Sequence, residues 1–133
     1  IIFLNQSQWR ENIKEADKSF IGFFEFQMVN QIEIYNNWNL ALPEEGEVKI
    51  KFFENGEKIV SDGISIKASE VLRNYGVDSA FRNNWPIVYI DNNLYWIVGL
   101  RKSDLAIENE KNSKKGVLQV SIKKDNLLNL MHS

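Results

Sequence analysis

Two apolar runs separated by three polar residues dominate the second half of the chain: Ile87-Val88-Tyr89-Ile90 and Leu94 to Leu100 flank Asp91-Asn92-Asn93. Asn and Asp tolerate the left-handed backbone of a tight turn, so the stretch predicts a β-hairpin. Alternation places Leu94, Trp96 and Val98 on one face and Tyr95 and Ile97 on the other. Both faces are apolar, which predicts a central or helix-covered position in a sheet. Pro86 starts the hairpin, and the basic pair Arg101-Lys102 ends it.

Upstream, Ala68, Val71, Leu72 and Tyr75 recur at helical spacing and predict a helix over Ser65–Val77, capped by Ser65 and ended by Gly76. Asp78 predicts the cap of a further short helical turn in "DSAFRNN". Trp9, Ile13, Ala16 and Phe20 have the same periodicity and predict an earlier helix capped by Ser7. Period-2 patterns predict strands in "FIGFFEFQ", "QIEIYNNW", "EVKIKFF" and "GVLQVSIKK". Turns are predicted at "LPEEGE" and "ENGEK", and an exposed polar loop at "ENEKNSKKG". The expected architecture is a single α+β domain over residues 1–133, a mostly antiparallel or mixed β-sheet with two or three helices packed on it.

A length of 133 residues, with 44% hydrophobic and 12% aromatic content, suffices for a buried core. The absence of cysteine excludes disulfides, thiolate metal sites and cysteine nucleophiles, and no apolar run reaches membrane-spanning length. The opening "IIFL" without Met reads as a fragment of a longer protein. Charge changes the picture more. Residues 1–57 carry five basic and ten acidic side chains, whereas 58–133 carry eleven and eight. A basic face is therefore compatible with a net charge of −2.

Covalent chemistry is not expected of this chain. Its single histidine, His132, is the penultimate residue, and neither a Walker-type loop nor a Gly-x-Gly-x-x-Gly motif occurs. Binding is the remaining option. Lys67 and Arg73 on the polar side of the predicted helix, with Arg82 and the Arg101-Lys102 pair, form a candidate phosphate-binding set. By themselves these cations read first as ordinary surface charge, and Arg82 serves equally well to pin its turn by hydrogen bonds to carbonyls.

In combination the residues resemble the C-terminal domain of the tRNA(Ile)-lysidine synthetase family. The resemblance rests on Lys67, Val77, Arg82, Pro86, Trp96, Val98, Gly99 and Arg101 in "KASEVLRNYGVDSAFRNNWPIVYIDNNLYWIVGLRKS", with Gly56 of "VKIKFFENGEK" upstream. It is best over residues 46–103. Two departures reduce positive charge: "IKASE" keeps one Lys, and Glu54 and Glu57 flank the glycine turn. The resemblance implies a non-catalytic, cytoplasmic domain that holds the acceptor-stem end of an isoleucine tRNA with a CAU anticodon. A separate N-terminal catalytic domain, using ATP and Mg, would convert the wobble cytidine to lysidine; its Ser-Gly-Gly-x-Asp-Ser loop does not occur here. The implied partners are that tRNA, the chain's own catalytic domain and a second copy in a homodimer. The alternative is a non-catalytic protein-interaction or dimerisation module.

Overall fold

The Asp91-Asn92 turn forms as its residue types predict, with φ of +49° and +67°. It joins β8 (Pro86–Ile90) to β9 (Asn93–Ile97) in an antiparallel pair. These strands lie inside a five-stranded sheet ordered β1-β5-β8-β9-β10, completed by β1 (Ile2–Asn5), β5 (Glu47–Phe52) and β10 (Arg101–Lys102). A second, four-stranded sheet is ordered β2-β3-β11-β4, from β2 (Lys18–Ile21), β3 (Phe24–Val29), β11 (Val117–Ile122) and β4 (Asn39–Ala41). A two-stranded ribbon pairs β6 (Lys58–Ser61) with β7 (Ile64–Lys67). Three helices are described: α1 (Ala68–Asn74), α2 (Ser79–Arg82) and α3 (Asp104–Asn112). This computed structural model describes residues 2–5, 18–21, 24–30, 32–43, 45–112 and 116–122. The α+β class, with antiparallel sheets and helices packed on them, is as expected.

One contiguous core draws on both large sheets, through Phe24, Phe26, Leu40 and Leu118 on one side and Ile50, Val88, Trp96 and Ile97 on the other. Phe24 meets Trp85 edge-on, with ring centroids 4.9 Å apart, a favoured aromatic geometry. The buried indoles also find acceptors: Trp85 Nε1 donates to Val98 O at 2.9 Å and Trp96 Nε1 to Asn37 O at 3.1 Å. An irregularity between Val88 and Tyr89 pairs Val88 with Trp96 but Tyr89 with Leu94, leaving Tyr95 as the extra residue. That bulge breaks the expected strict alternation, and Tyr95, Trp96 and Ile97 are all buried.

Five further sequence expectations are corrected. "QIEIYNNW" is no strand where it is described: Asn side chains capture the backbone groups that a ladder would use. Asn36 Oδ1 accepts from Trp38 N at 2.8 Å, Asn39 Oδ1 accepts from Asn36 N at 3.1 Å, and Asn39 Nδ2 donates to Ile34 O at 3.2 Å. Phe20 is in a strand, paired with Glu25 of β3, because cross-strand pairing overrides its helical spacing; Trp9, Ile13 and Ala16 lie outside the described residues. "FIGFFEFQ" accordingly divides between β2 and β3 rather than forming one strand.

The helix expected from Ser65 begins only at Ala68. Asp62 and Gly63, at φ of +54° and +74°, form the two-residue turn that makes Ile64–Lys67 a strand instead. Residues 108–112 of the expected polar loop belong to α3. The Ser103 hydroxyl caps that helix by accepting from Ala106 N at 3.1 Å, and Asp104 and Lys111 suit its two ends electrostatically.

The loop 32–38 is anchored on the hairpin side by Trp38. A Cβ placed on Gly99 would fall 2.7 Å from Trp38 Cη2, and Gly99 has φ of +76°. Gly99→Ala therefore combines a strained backbone with displacement of a large ring. We expect a loss of about 1–3 kcal/mol in urea unfolding; a midpoint equal to that of the parent would show that the contact is not tight.

Candidate nucleic-acid interface

The ribbon carries two of the four exposed cations among the described residues. Because β6 and β7 are antiparallel and joined at Asp62-Gly63, Lys58 falls directly opposite Lys67, and both are exposed. Like charges so placed disfavour the pairing unless something anionic meets them. Lys67 also stands at the N-cap of α1 without a side-chain cap bond, while exposed Arg73 stands in the last turn of that helix. Arg73 there also complements the helix dipole, a structural role that leaves its guanidinium in solvent.

The other three predicted cations are differently placed. Arg82 is half-buried, and its Nε donates to Val77 O at 3.0 Å, which pins the connection between α1 and α2. Arg101 is half-buried and reaches the ribbon, where its Nε donates to Ser61 Oγ at 3.2 Å. Lys102 is buried: its Nζ pairs with the Glu110 carboxylate and lies 5.7 Å from the centre of the Tyr35 ring. Burial lowers the Lys102 pKa from its usual value, partly offset by Glu110. Lys102 therefore belongs to the packing between β10 and α3, and its ammonium is withdrawn from the surface.

Lys58 escaped the sequence reading, although the signal was present. Asp62-Gly63 between two short period-2 runs is a strong hairpin pattern, and its register brings the two lysines together. The acidic departures at the glycine turn also acquire a local explanation. Glu57 Oε1 accepts from Glu54 N at 2.6 Å, and Lys51 Nζ lies 3.4 Å from Glu57 and 3.6 Å from Glu54. The same ammonium sits 4.8 Å from the Tyr89 ring centre. The acids thus neutralise Lys51 and close a turn in which Gly56 has φ of +94°.

The ribbon is held in place at its tip. Asp104, in the first turn of α3, accepts from Asp62 N at 2.8 Å through Oδ1 and from Gly63 N at 2.9 Å through Oδ2. Between the ribbon, the β8–β9 hairpin and α3 lies a groove of about 550 Å³, bordered by Lys58, Val60, Tyr89, Asn93, Leu94 and Leu105. The surface is amphipathic: a cationic ribbon edge beside partly apolar walls.

These elements define a small α+β module with two exposed lysines on its ribbon and an exposed arginine on α1. Residues 48–120, more than half of the chain, match the family model described as TilS substrate C-terminal domain, and the chain belongs to that family. It is 29% identical over 108 residues to the tRNA(Ile)-lysidine synthase of Lactococcus lactis subsp. lactis (strain IL1403). That alignment takes in 74% of this chain but 25% of the relative, so the match spans about a quarter of the relative's length. The fold is similar to a solved structure described as "Crystal structure of TILS C-terminal domain", with a TM-score of 0.61 and 20% identity, covering 77% of this chain and 87% of the other.

The Lys102–Glu110 pair can be tested by a double-mutant cycle. Lys102→Met alone strands a partly buried carboxylate and should cost about 3 kcal/mol, whereas Lys102→Met with Glu110→Leu should be close to neutral. Equal losses for the single and double variants in chemical unfolding would contradict this account. Because the folded chain binds the Lys102 proton less tightly than the unfolded chain does, the lysine's contribution should become more favourable as pH rises toward its ordinary value of 10.5.

Proposed function

We propose that this domain holds the acceptor-stem region of an isoleucine tRNA with a CAU anticodon. In this reading a separate N-terminal domain, using ATP and Mg, converts the wobble cytidine to lysidine in the cytoplasm. The observation that carries the reading is a trio of exposed cations, Lys58 opposite Lys67 on the ribbon and Arg73 in the last turn of α1. Family membership and the similarity to a protein named tRNA(Ile)-lysidine synthase support it. Double-helical RNA offers side chains mainly phosphates and a shallow minor groove, so Lys and Arg supply most of the affinity and little base specificity. Arg101, tied to Ser61, and Arg82, tied to Val77, position the surface around that trio.

A second reading, a protein-interaction or dimerisation module, is favoured by exposed apolar residues on the ribbon and α3. Val60 is 51% exposed, Ile64 63% and Leu105 48%. The two readings use different side chains, so they separate cleanly in experiment.

In the full-length protein, Lys67→Glu with Arg73→Glu should weaken tRNA binding and slow lysidine formation. The slope of log affinity against log salt should fall by about one unit for each phosphate that is no longer neutralised. Unchanged tRNA affinity in a folded double variant would defeat the RNA reading. A concentration-dependent mass in light scattering, abolished by Val60→Lys with Leu105→Lys, would favour the second.

A further inference from the structure

Away from the cationic ribbon, the four-stranded sheet carries a row of amides. Cross-strand register sets Gln27 of β3 beside Gln119 of β11, and Gln119 beside Asn39 of β4. Gln27 and Gln119 alternate with the buried residues Phe26, Met28, Leu118 and Val120 and so project from the face opposite the core. The loop 32–38 overhangs this row. Together they enclose a cleft of about 300 Å³, walled by Glu25, Gln27, Gln119 and Ser121 from the sheet and by Asn36 and Trp38 from the loop.

The wall residues divide into two kinds. Asn36 and Asn39 are occupied in holding the loop, and Asn39 Nδ2 also donates to Asn36 Oδ1 at 3.2 Å. Gln27 and Gln119 are half-buried, and neither side-chain amide hydrogen-bonds to another described residue. Each amide presents an acceptor and two N–H donors, and strand spacing holds the two side chains about 5 Å apart. Glu25 is the one charged side chain in the described lining. It has a further interaction of its own, and the register sets Lys18 of β2 opposite Gln27.

Trp38 adds a flat surface. It is 37% exposed, and its six-membered ring is braced against the α-carbon of Gly99, so the indole is fixed in orientation before any ligand arrives. A braced aromatic and two unengaged amides in one cleft are groups by which proteins take up unpaired RNA bases. In a base-paired helix the Watson–Crick edges are taken and the bases are stacked, so no base can enter such a cleft.

We propose that this cleft takes an unpaired nucleobase bearing an exocyclic amino group, supplied by a single-stranded segment of RNA. Adenine fits best, because a glutamine amide pairs with an adenine edge through one donor and one acceptor. The RNA source rests on the tRNA-holding reading above; the base-binding chemistry does not.

The test follows tryptophan emission of the 133-residue chain during titration with a short adenosine oligoribonucleotide, its uridine counterpart, free adenosine and a blunt-ended RNA duplex. The adenosine oligomer should quench emission and bind about tenfold more tightly than the uridine oligomer. Gln27→Met with Gln119→Met should erase that preference and leave duplex affinity unchanged. If circular dichroism shows the double variant unfolded, Gln119→Glu replaces it and should abolish the same preference. Equal binding of the two oligomers, or an unaffected variant, overturns the cleft assignment, and duplex binding in that case leaves the tRNA reading standing. Adenosine preference without duplex binding at low salt supports the cleft and counts against the tRNA-holding role. Free adenosine binding as tightly as the oligomer overturns RNA as the source.

Discussion

The seat of the loop 32–38 on the β8–β9 hairpin is the constraint on which the rest of this structure depends. Asn37 O accepts from the buried Trp96 indole, and the Trp38 ring lies on the bare α-carbon of Gly99. Immediately after these contacts the chain enters β4, and Trp38 O accepts from Val120 N of β11. A few consecutive residues therefore fasten one sheet to the core strands of the other. A side chain at Gly99 would separate them, which explains why a strained, positive-φ position lies beside a packed aromatic.

From that joint the polar features divide into two territories. One is the ribbon with α1, where exposed lysines and an arginine collect and where Asp104 grips the turn. The other is the outer face of the four-stranded sheet, where Gln27 and Gln119 line a cleft beside Trp38. On the two proposals their chemistry is complementary, the first meeting a phosphate backbone and the second the edge of a base. On the proposed reading, one RNA would meet a surface that senses charge and another that senses base identity.

The sequence revealed the parts of the fold whose geometry depends on short-range pattern. The Asp91-Asn92 turn, the Asp78 cap, which accepts from Ala80 N, and the left-handed Gly76 at φ of +74° were all legible in neighbouring residue types. The parts that escaped depend on competition. In 32–38, asparagine side chains outcompete a ladder for backbone partners; at Asp62-Gly63, a turn converted the expected first helical residues into a strand. The candidate site was legible to the same degree. Arg73 is exposed as its helical position implied, and Lys67 is exposed at the end of β7 rather than on the helix expected there, but nothing local indicates that Lys102 meets Glu110 eight residues on. Lys58 became visible only once strand register set it against Lys67.

That register has a mechanical consequence. Two exposed lysines set opposite each other in the register of a two-stranded ribbon repel, loosening the very element that carries them. Any polyanion that settles between them releases the repulsion and tightens the ribbon. By reciprocity, whatever steadies the ribbon from the Asp104 end raises its appetite for the polyanion. On the proposed tRNA-holding reading, grip and stiffness in this domain are two readings of the same free energy.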